Sequence, residues 1–474
     1  PLSNLIIKSA DPFKPSSQKI DSSTLVNYYK QSINWQDCYG GFKCATYKVP
    51  RDYSNLNAGE FDIAVMKHVA PGAIGNLVVN PGGPGGSGVD YAYSYESAFT
   101  KAINESFNIV GFDPRGVGRS SAIDCLTNAE TDAAYASNSY PENDAELAQM
   151  QAESKDFADK CKTENGALQL YSTANAARDL DILRELLGDS KLNFLGKSYG
   201  TYLGSLYAKF FPEKVGKFVL DGAVDPTINS AQQTLQQAVG FDSAFKDFAT
   251  DCMKLADCIF QSYPVKELQQ KLDELRTNPV TVGKRKVTES LAMYGVAFGL
   301  YDRASGWPAL RGALKDLFAG NGKTILQLSD VYTGRDANGN YPTNEAESLS
   351  IISCNDFPPT SGAKLISQNN DSLFGKYVAY SDLDCNYLPH GKYQLISSKI
   401  DVKNATLVIG TTNDPATPYQ WADKLSKVIS NSVLLTLESD GHTGYNRGST
   451  CIDQVVEKYL ISGVIPAGDT RCRY

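Results

Sequence analysis

The chain has 474 residues, of which 42% are hydrophobic and 21% charged, and its formal net charge is −8. These values are typical of a globular protein large enough for one α/β unit with an inserted subdomain. The acidic charge argues against nucleic acid or an anionic membrane as a partner, and the longest apolar stretch, near residues 291–301, is too short to span a bilayer. Because Pro1 rather than Met opens the sequence, we expect any signal peptide to lie outside this numbering.

Residues 1–37 are predicted to form an irregular N-terminal arm. Strand-like and helix-like runs alternate over residues 38–228 and again over 401–474, which predicts a catalytic domain built on a mostly parallel, doubly wound sheet. Residues 229–400 contain helical runs in place of strands, so we predict an inserted, mainly helical lid subdomain there. The predicted strands are 44–49, 61–68, 77–80, 107–112, 192–195, 217–220, 406–410 and 432–437, and the predicted helices are 174–187, 202–211, 232–255, 265–275 and 310–318.

The motif Gly196-Lys197-Ser198-Tyr199-Gly200 is the one G-x-S-x-G match in the chain, and it lies between the strand-like run 192–195 and the helix-like run 202–211. A serine at such a junction occupies a sharp, strained turn that lifts its hydroxyl clear of the sheet. The flanking glycines avoid the collision that side chains would cause where strand and helix approach each other. Ser198 is therefore the predicted nucleophile.

A serine nucleophile needs a neighbouring base, and the chain has three histidines, His68, His390 and His442. His68 lies inside the predicted strand 61–68, and His390 follows a proline in a polar loop. His442 follows the apolar run 432–437 and a short turn, where the last strand of such a sheet delivers its base. We predict His442 as the base, the alternative being a loop histidine bonded to backbone.

The third member should be a carboxylate that fixes the tautomer of the imidazole. Asp414 follows the predicted strand 406–410 and gives the chain order Ser, Asp, His. Asp221, after an earlier strand, is the rival, and Asp225 and Asp440 are weaker candidates. For all four, an aspartate capping a turn is the alternative interpretation. Asp414 is our choice.

Acyl transfer also requires donors for the tetrahedral oxyanion. One expected donor is the backbone N–H of Tyr199, the residue after the nucleophile. The second should come from the glycine-rich loop 80–88, which follows the predicted strand 77–80. Phosphate binding is the alternative for this loop, but no Lys-Ser/Thr follows it and its spacing fits neither dinucleotide nor P-loop patterns.

Several segments, in chain order, resemble the secreted tripeptidyl-aminopeptidase branch of the proline-iminopeptidase-like α/β hydrolases. The segment 352–356 and the C-terminal segment with Cys451 and Cys472 also resemble that branch. The resemblance runs across nearly the whole chain. The segments that carry it are 80–88 (NPGGPGGSG), 111–120 (GFDPRGVGRS), 196–204 (GKSYGTYLG) and 414–418 (DPATP).

This resemblance implies the α/β-hydrolase fold and a serine exopeptidase that removes residues from peptide N-termini without a metal or organic cofactor. It also implies site residues, namely Ser198 as nucleophile, Asp414 as acid, His442 as base, and Gly82 and Gly83 in the oxyanion loop. The chain departs from the family's pattern at Lys197, where a small or apolar residue is more usual, and at Thr443, where glycine is. A carboxylic ester or lactone hydrolase is the alternative enzyme, and a binding protein on a hydrolase scaffold is the alternative class.

A lid over Ser198 would exclude folded proteins and favour short peptides. Recognition of a free N-terminal ammonium then requires a desolvated carboxylate near the acyl site. Asp356, beside Cys354, is the first candidate, and Glu345 and Glu347 are the second. The alternative for each is a solvated or capping acid.

The chain has ten cysteines, an even number that indicates an oxidising, extracellular compartment. Ten cysteines allow roughly a thousand connectivities, which sequence alone does not distinguish. No Cys-x-x-Cys pair occurs and histidines are scarce, so we expect no metal site. The spacing of the cysteines favours neighbouring pairs, namely Cys38–Cys44, Cys125–Cys161, Cys252–Cys258, Cys354–Cys385 and Cys451–Cys472.

Three N-x-S/T sequons, at Asn104, Asn370 and Asn404, predict glycosylation and fit secretion through a eukaryotic pathway. We therefore expect a secreted, monomeric enzyme that acts on short peptides, with no nucleic-acid or membrane partner.

Overall fold

The computed structural model describes residues 12–357, 359, 372–391 and 395–473 of the chain. Its centre is a ten-stranded sheet of strand order β1-β2-β3-β5-β4-β6-β7-β10-β11-β12, and β8 and β9 pair separately. The strands are β1 (Gln36–Cys38), β2 (Phe42–Pro50), β3 (Glu60–His68), β4 (Asn76–Asn80), β5 (Asn108–Phe112), β6 (Leu192–Lys197), β7 (Val215–Asp221), β8 (Val280–Val282), β9 (Arg285–Val287), β10 (Thr406–Asn413), β11 (Ser432–Asp440) and β12 (Thr470–Arg473).

Strands β1, β2, β3 and β5 pair in antiparallel fashion, whereas all neighbours from β5 to β12 in the sheet are parallel. Strands buried on both faces form continuous apolar runs, as in β4, where Val78 packs into the core on one face while Leu77 and Val79 pack into the core on the other. All eight predicted strands are present. The predicted fold class, an α/β-hydrolase sheet, is confirmed.

Helices cover both faces of the sheet and build the lid. They are α1 (Val26–Tyr29), α2 (Gly88–Tyr93), α3 (Tyr95–Ala98), α4 (Lys101–Ser106), α5 (Asn128–Ala136), α6 (Asp144–Asn165), α7 (Thr173–Leu186), α8 (Tyr199–Phe210), α9 (Ser230–Cys252), α10 (Pro264–Thr277), α11 (Glu289–Leu300), α12 (Gly306–Phe318), α13 (Lys323–Thr333), α14 (Glu345–Asp356), α15 (Gly375–Val378), α16 (Tyr419–Val428) and α17 (Thr450–Ser462). Short 3₁₀ helices lie at Leu56–Ala58, Leu168–Leu170, Pro212–Lys214 and Leu383–Asn386.

The lid helices have a hydrophobic core of their own. In α9, Phe241, Phe245, Phe248 and Cys252 recur at helical spacing and pack into this core with Trp307. The predicted lid helices correspond to α9, α10 and α12. The expectation of helices in place of strands was wrong at one point, because β8 and β9 form a small antiparallel hairpin.

A segment before the nucleophile also contacts the lid. Arg276 of α10 donates to Glu146 of α6 at 2.5 Å and to Glu289 of α11 at 2.6 Å, which joins α6 to two lid helices. The division of the chain at residues 229 and 400 stays a prediction, and these ion pairs show that residues outside that range hold the lid in place.

Five disulfides are present, and each joins the two cysteines that the spacing favours: Cys38–Cys44, Cys125–Cys161, Cys252–Cys258, Cys354–Cys385 and Cys451–Cys472. Within the described part of the chain, no helix combines the length and the apolar character needed to cross a bilayer.

The predicted glycosylation sites are engaged in the fold or lie outside the described residues. The amide nitrogen of Asn104 donates to the carbonyls of Tyr95 and Phe99, and that of Asn404 donates to the carbonyl of Val215 at 2.9 Å. Asn370 lies outside the described residues. A glycan at Asn104 or Asn404 would replace a hydrogen of a nitrogen that already donates to backbone, so glycosylation stays a prediction.

Candidate active site

Ser198 lies at the turn between β6 and α8 with φ 54° and ψ −126°. This conformation is sparsely populated for a residue with a side chain and costs roughly 1–3 kcal/mol. The flanking glycines make the turn possible, since a Cβ on Gly196 would lie 2.4 Å from the carbonyl oxygen of Gly200. The backbone N–H of Ser198 donates to the carbonyl of Asp221 at 2.9 Å, which holds the turn against β7.

His442 and Asp414 form a buried pair at the carboxyl edge of the sheet. The Nδ1 of His442 lies 2.9 Å from both carboxylate oxygens of Asp414. The same carboxylate accepts the N–H groups of Ala416, Thr417 and Thr443 at 2.8–3.1 Å, so its position is fixed independently of the imidazole. An Nδ1–H donated to Asp414 leaves Nε2 of His442 as the free base.

The turn that carries Ser198, called the nucleophile elbow below, and His442 approach each other at Gly222. A Cβ on Gly222 would lie 3.2 Å from Cε1 of His442, and the carbonyl of the preceding Asp221 holds the N–H of Ser198. Among the described residues, no hydrogen bond joins the Ser198 hydroxyl to His442. Such bonds are often long in unliganded enzymes and tighten when substrate binds.

Asp221, the rival acid, supports the loop that carries the histidine. Its carboxylate accepts the N–H groups of Gly444 and Tyr445 at 2.8 and 3.0 Å, and burial raises its pKa. The Nζ of Lys197 donates to the carbonyl of Tyr445 at 2.7 Å and lies 3.8 Å from Asp221. The sequence showed Lys197 as a departure from the family pattern but not this role. The role depends on Tyr445 lying within hydrogen-bond distance of Lys197, which the sequence does not show.

The remaining candidates have structural partners. Asp225 accepts the N–H of Thr227 in a turn, and Asp440 accepts the side-chain amide of Asn413 at 2.9 Å. The ring of His68 stacks on Tyr95, and Nδ1 of His390 lies 3.4 Å from a neighbouring backbone carbonyl. In the described part of the chain, no hydrogen bond, ion pair or ring contact joins any of these residues to Ser198, Asp414 or His442.

The oxyanion loop packs directly on the elbow. Gly82 has φ 108°, and a Cβ there would lie 3.0 Å from Cβ of Ser198. The N–H of Gly82 donates to Oδ1 of Asn80 at 3.1 Å, so within the predicted oxyanion loop Gly82 provides close approach to Ser198, and its N–H is already engaged. In the described structure the N–H groups of Gly83 and Tyr199 have no acceptor, so both are free to serve as the predicted oxyanion donors.

Asp356, the first candidate for the substrate ammonium, is turned into the protein. It is 2% exposed, and its carboxylate accepts the backbone N–H of Thr173 at 2.8 Å and the hydroxyl of Thr173 at 2.5 Å. That hydroxyl also hydrogen-bonds the phenol of Tyr199. Burial raises the pKa of Asp356 to about 7. These contacts argue against Asp356 as an ammonium site and favour a role in positioning Tyr199.

Glu347 is likewise engaged. It is 6% exposed, and its carboxylate accepts the N–H groups of Cys125 and Leu126 at 2.8 and 2.6 Å. Glu347 therefore anchors α14 to the loop after β5 instead of facing the site.

Glu345 differs from both. It lies about one turn from Ser348 and two residues from Glu347, on a different face of α14, and a Cβ on Gly83 would lie 3.4 Å from its Oε1. The side chain is accessible to solvent, yet protein surrounds it densely enough that burial raises its pKa. No hydrogen bond or ion pair joins it to another described residue.

A series of tyrosines runs from the histidine towards Glu345. The ring of Tyr301 packs edge-on against His442 with centroids 5.1 Å apart, and Tyr301 contacts Tyr332 at 5.9 Å. Burial is the main cause of the raised pKa of both phenols, and the charge of Glu345 adds a smaller contribution. In the described part of the chain no cluster of His, Cys, Asp or Glu is arranged to hold a metal ion.

The fold and this site define an α/β hydrolase with a serine nucleophile. A family model described as "TAP-like protein" matches residues 371–472. Serine protease Hip1 of Mycobacterium tuberculosis is 35% identical over 93% of this chain and 91% of its own length. The chain belongs to the TAP-like α/β-hydrolase serine peptidases.

Two further relatives carry different names. The tripeptidyl aminopeptidase of Streptomyces lividans is 27% identical over 94% of this chain and 87% of its own. A Mycobacterium tuberculosis protein named carboxylesterase B is 32% identical over 91% of this chain and 86% of its own. The family thus contains proteins named for both amide and ester hydrolysis.

Proposed function

We propose that this protein is a secreted serine aminopeptidase that releases residues from the free N-termini of short peptides through an acyl-enzyme. The observation that carries the proposal is Glu345, a carboxylate without a partner among the described residues, beside Gly83 of the oxyanion loop. A cleft carboxylate at that place suits the ammonium group of a peptide whose scissile carbonyl lies at Ser198.

The chemistry follows from the arrangement of the triad. His442 takes the proton of Ser198 as its Oγ attacks the scissile carbonyl, and Asp414 stabilises the imidazolium that forms. The N–H groups of Gly83 and Tyr199 stabilise the oxyanion, and one such donor is typically worth about 10²–10³ in kcat. His442 then protonates the leaving amine, and water releases the acyl fragment by the same steps in reverse.

The tyrosines strengthen the case for an ammonium site. Tyr135, Tyr301 and Tyr332 each lie close enough to Glu345 for its charge to raise their pKa. Aromatic faces attract a desolvated cation by about 0.5–2 kcal/mol, and a carboxylate adds a charge-assisted hydrogen bond. The blocked N-terminus of an acetylated peptide would receive neither contribution.

Secretion is supported by the five disulfides, because structural disulfides persist in oxidising compartments. We further propose that the protein acts as a monomer on peptide substrates alone, with neither nucleic acid nor membrane as a partner.

The test is a panel of fluorogenic aminoacyl, prolyl and tripeptidyl amides, their N-acetylated forms and short-chain esters, with Ser198→Ala as the inactive control. We expect turnover of free amides, little of the acetylated forms, and loss of both in the variant. Equal turnover of free and acetylated amides would contradict the aminopeptidase.

The second candidate is a carboxylic ester hydrolase. The relative named carboxylesterase B favours it, since the same triad cleaves esters. Turnover of the esters in the panel without turnover of any amide would move the assignment to this class.

A further inference from the structure

A recess in the catalytic domain opens beside His442. Its volume is about 290 Å³, which corresponds to roughly ten waters. Its walls come from Pro81 at the start of the oxyanion loop, from α2 and α3, and from the loop that carries His442. None of the residues that line it belongs to the lid, whereas Glu345 and Tyr301 do. We call this recess the basic cavity.

Two cations, Lys197 and Arg447, and no carboxylate line the described walls of the basic cavity, and the nearest carboxylates lie behind them, with Asp302 3.4 Å from Arg447 and Asp221 3.8 Å from Lys197. The chain as a whole carries a net charge of −8. A cluster of cations in a recess of an acidic protein concentrates anions locally.

Both cations have donors to spare. Arg447 reaches Thr443 through Nε at 3.3 Å and Asp302 through Nη1 at 3.4 Å, and its Nη2 has no acceptor in the described structure. The Nζ of Lys197 makes one hydrogen bond, to the carbonyl of Tyr445, while Asp221 at 3.8 Å is too distant for a second. A carboxylate in the cavity would complete the hydrogen bonding of these side chains.

We propose that the basic cavity is a subsite for a carboxylate on the leaving fragment, either its C-terminal carboxylate or an acidic side chain just after the scissile bond. The proposal rests on the proposed function. His442 protonates the leaving amine, so the leaving fragment must lie against His442. An ammonium at Glu345 places the acyl fragment under the lid. The basic cavity is lined by His442 but by no lid residue, so it would receive the leaving fragment.

The wild-type protein provides the first test, with Ala-Ala-Ala-Ala as free acid, the same peptide as C-terminal amide, and Ala-Ala-Ala-Asp amide. We expect kcat/KM for the acid, the Asp peptide or both to exceed that for the Ala amide by about tenfold, mainly through KM, because a hydrogen bond to a charged group is worth that much or more. Preference for the acid identifies the C-terminus as the source, and preference for the Asp peptide identifies the side chain.

Equal rates for the three peptides would overturn the subsite. A tripeptidyl anilide, which has no carboxylate on its leaving group, separates the two failures. Turnover of the anilide with equal peptide rates would overturn the subsite alone, whereas no turnover of the anilide or of any peptide would overturn the proposed function and the subsite together.

Arg447→Gln should lower kcat/KM for the carboxylate peptides to near the value for the Ala amide. Arg447→Lys should retain part of the preference for the carboxylate peptides. Arg471→Gln is the matched control. Arg471 lies on the edge strand β12, outside the cavity, and pairs with Glu438 of β11, so this variant should keep the full preference. A wild-type preference in Arg447→Gln would overturn the role of this cation.

Discussion

At the scale of single residues, the clearest distinction is between two buried aspartates. Asp414 contacts the imidazole of His442, while Asp221 accepts backbone N–H groups of the loop that follows His442 and lies near Lys197. Both follow apolar strands, so the sequence placed them as rivals. Both give the chain order Ser, Asp, His, and Asp221 stands one strand earlier than Asp414, our choice. The structure shows that the two carboxylates contact different parts of one histidine loop.

Substitution separates these two roles. Asp414→Asn keeps the shape of the carboxylate but offers the wrong tautomer partner to His442, so we expect kcat to fall by about 10⁴. Asp221→Asn keeps the His442–Asp414 pair and should lower the free energy of unfolding more than it lowers kcat. Steady-state kinetics and denaturant titration measure both effects. A larger kcat loss in Asp221→Asn than in Asp414→Asn would reverse the assignment.

Thr443 is a departure from the family pattern that the sequence reveals but that only the structure explains. It stands where the resembled family has glycine, and its φ of 69° is an unfavourable conformation for a β-branched residue. Its N–H bonds Asp414, its carbonyl accepts the hydroxyl of Thr411, and its own hydroxyl accepts Nε of Arg447. These bonds hold the strained residue in place, and none of them can be predicted without the tertiary structure.

At the scale of elements, α14 carries all three acids that the sequence proposed for substrate binding. Its sequence does not tell which acid faces the cleft, because each exposure depends on what packs against it. Thr173 at the start of α7 covers Asp356, and the backbone after β5 covers Glu347. Only Glu345 is left facing Gly83, which reverses the expected order of the candidates.

The buried Asp356 predicts a pH dependence of stability. Its pKa is about 7 in the folded protein because of burial, against an ordinary value near 4 in the unfolded chain. Between about pH 4 and pH 7 the folded state keeps a proton that the unfolded state has lost, so this group's contribution to stability falls as pH rises through that window and is constant above it.

Asp356→Asn should remove that dependence, which is of order 4 kcal/mol at most. Denaturant titrations of both proteins at pH 4.5 and pH 8 measure it, with the difference between the two pH values as the readout. An unchanged difference in the variant would mean that Asp356 is ionised in the folded protein throughout this range.

The Cys354–Cys385 disulfide ties α14 to the chain that follows it, with a sequence separation of 31. Its removal by a double Cys→Ser substitution should cost about 3–4 kcal/mol by the loop-entropy relation and should weaken binding of free N-termini, because α14 carries Glu345. The matched control removes Cys38–Cys44, whose separation is 6 and whose expected cost is about 2 kcal/mol. Equal changes of KM in the two variants would contradict a role of α14 in substrate binding.

Two missed helices show where periodicity fails. The 22-residue α6 buries only Ser154, Ala158 and Cys161, so it has no apolar stripe to detect. Helix α11 is apolar on all sides because it lies in the middle of the lid, and its Gly299 allows close packing, since a Cβ there would lie 2.7 Å from Cβ of Leu310. Neither pattern has the 3.6-residue period that identified α9 and α10.

At the scale of the whole molecule, the catalytic domain was predictable and the substrate site was not. The strands, the elbow at Ser198 and the scarcity of histidine defined the triad from the sequence. The proposed substrate recognition depends on the predicted lid, whose side chains approach the catalytic residues only through tertiary packing, as Tyr301 does at His442. The proposed aminopeptidase activity therefore depends most on one interaction, between Glu345 of α14 and the ammonium of a peptide whose scissile carbonyl lies at Ser198.

The most direct test is the ratio of kcat/KM for a free tripeptidyl anilide to that for its N-acetylated form. The account predicts a strong preference for the free form in the wild type and at least a tenfold smaller ratio, about 1.4 kcal/mol or more, in Glu345→Gln. The control Glu105→Gln, an exposed acid on α4, should keep the wild-type ratio. A wild-type ratio in Glu345→Gln would contradict the account, because the substrate ammonium would then be recognised elsewhere.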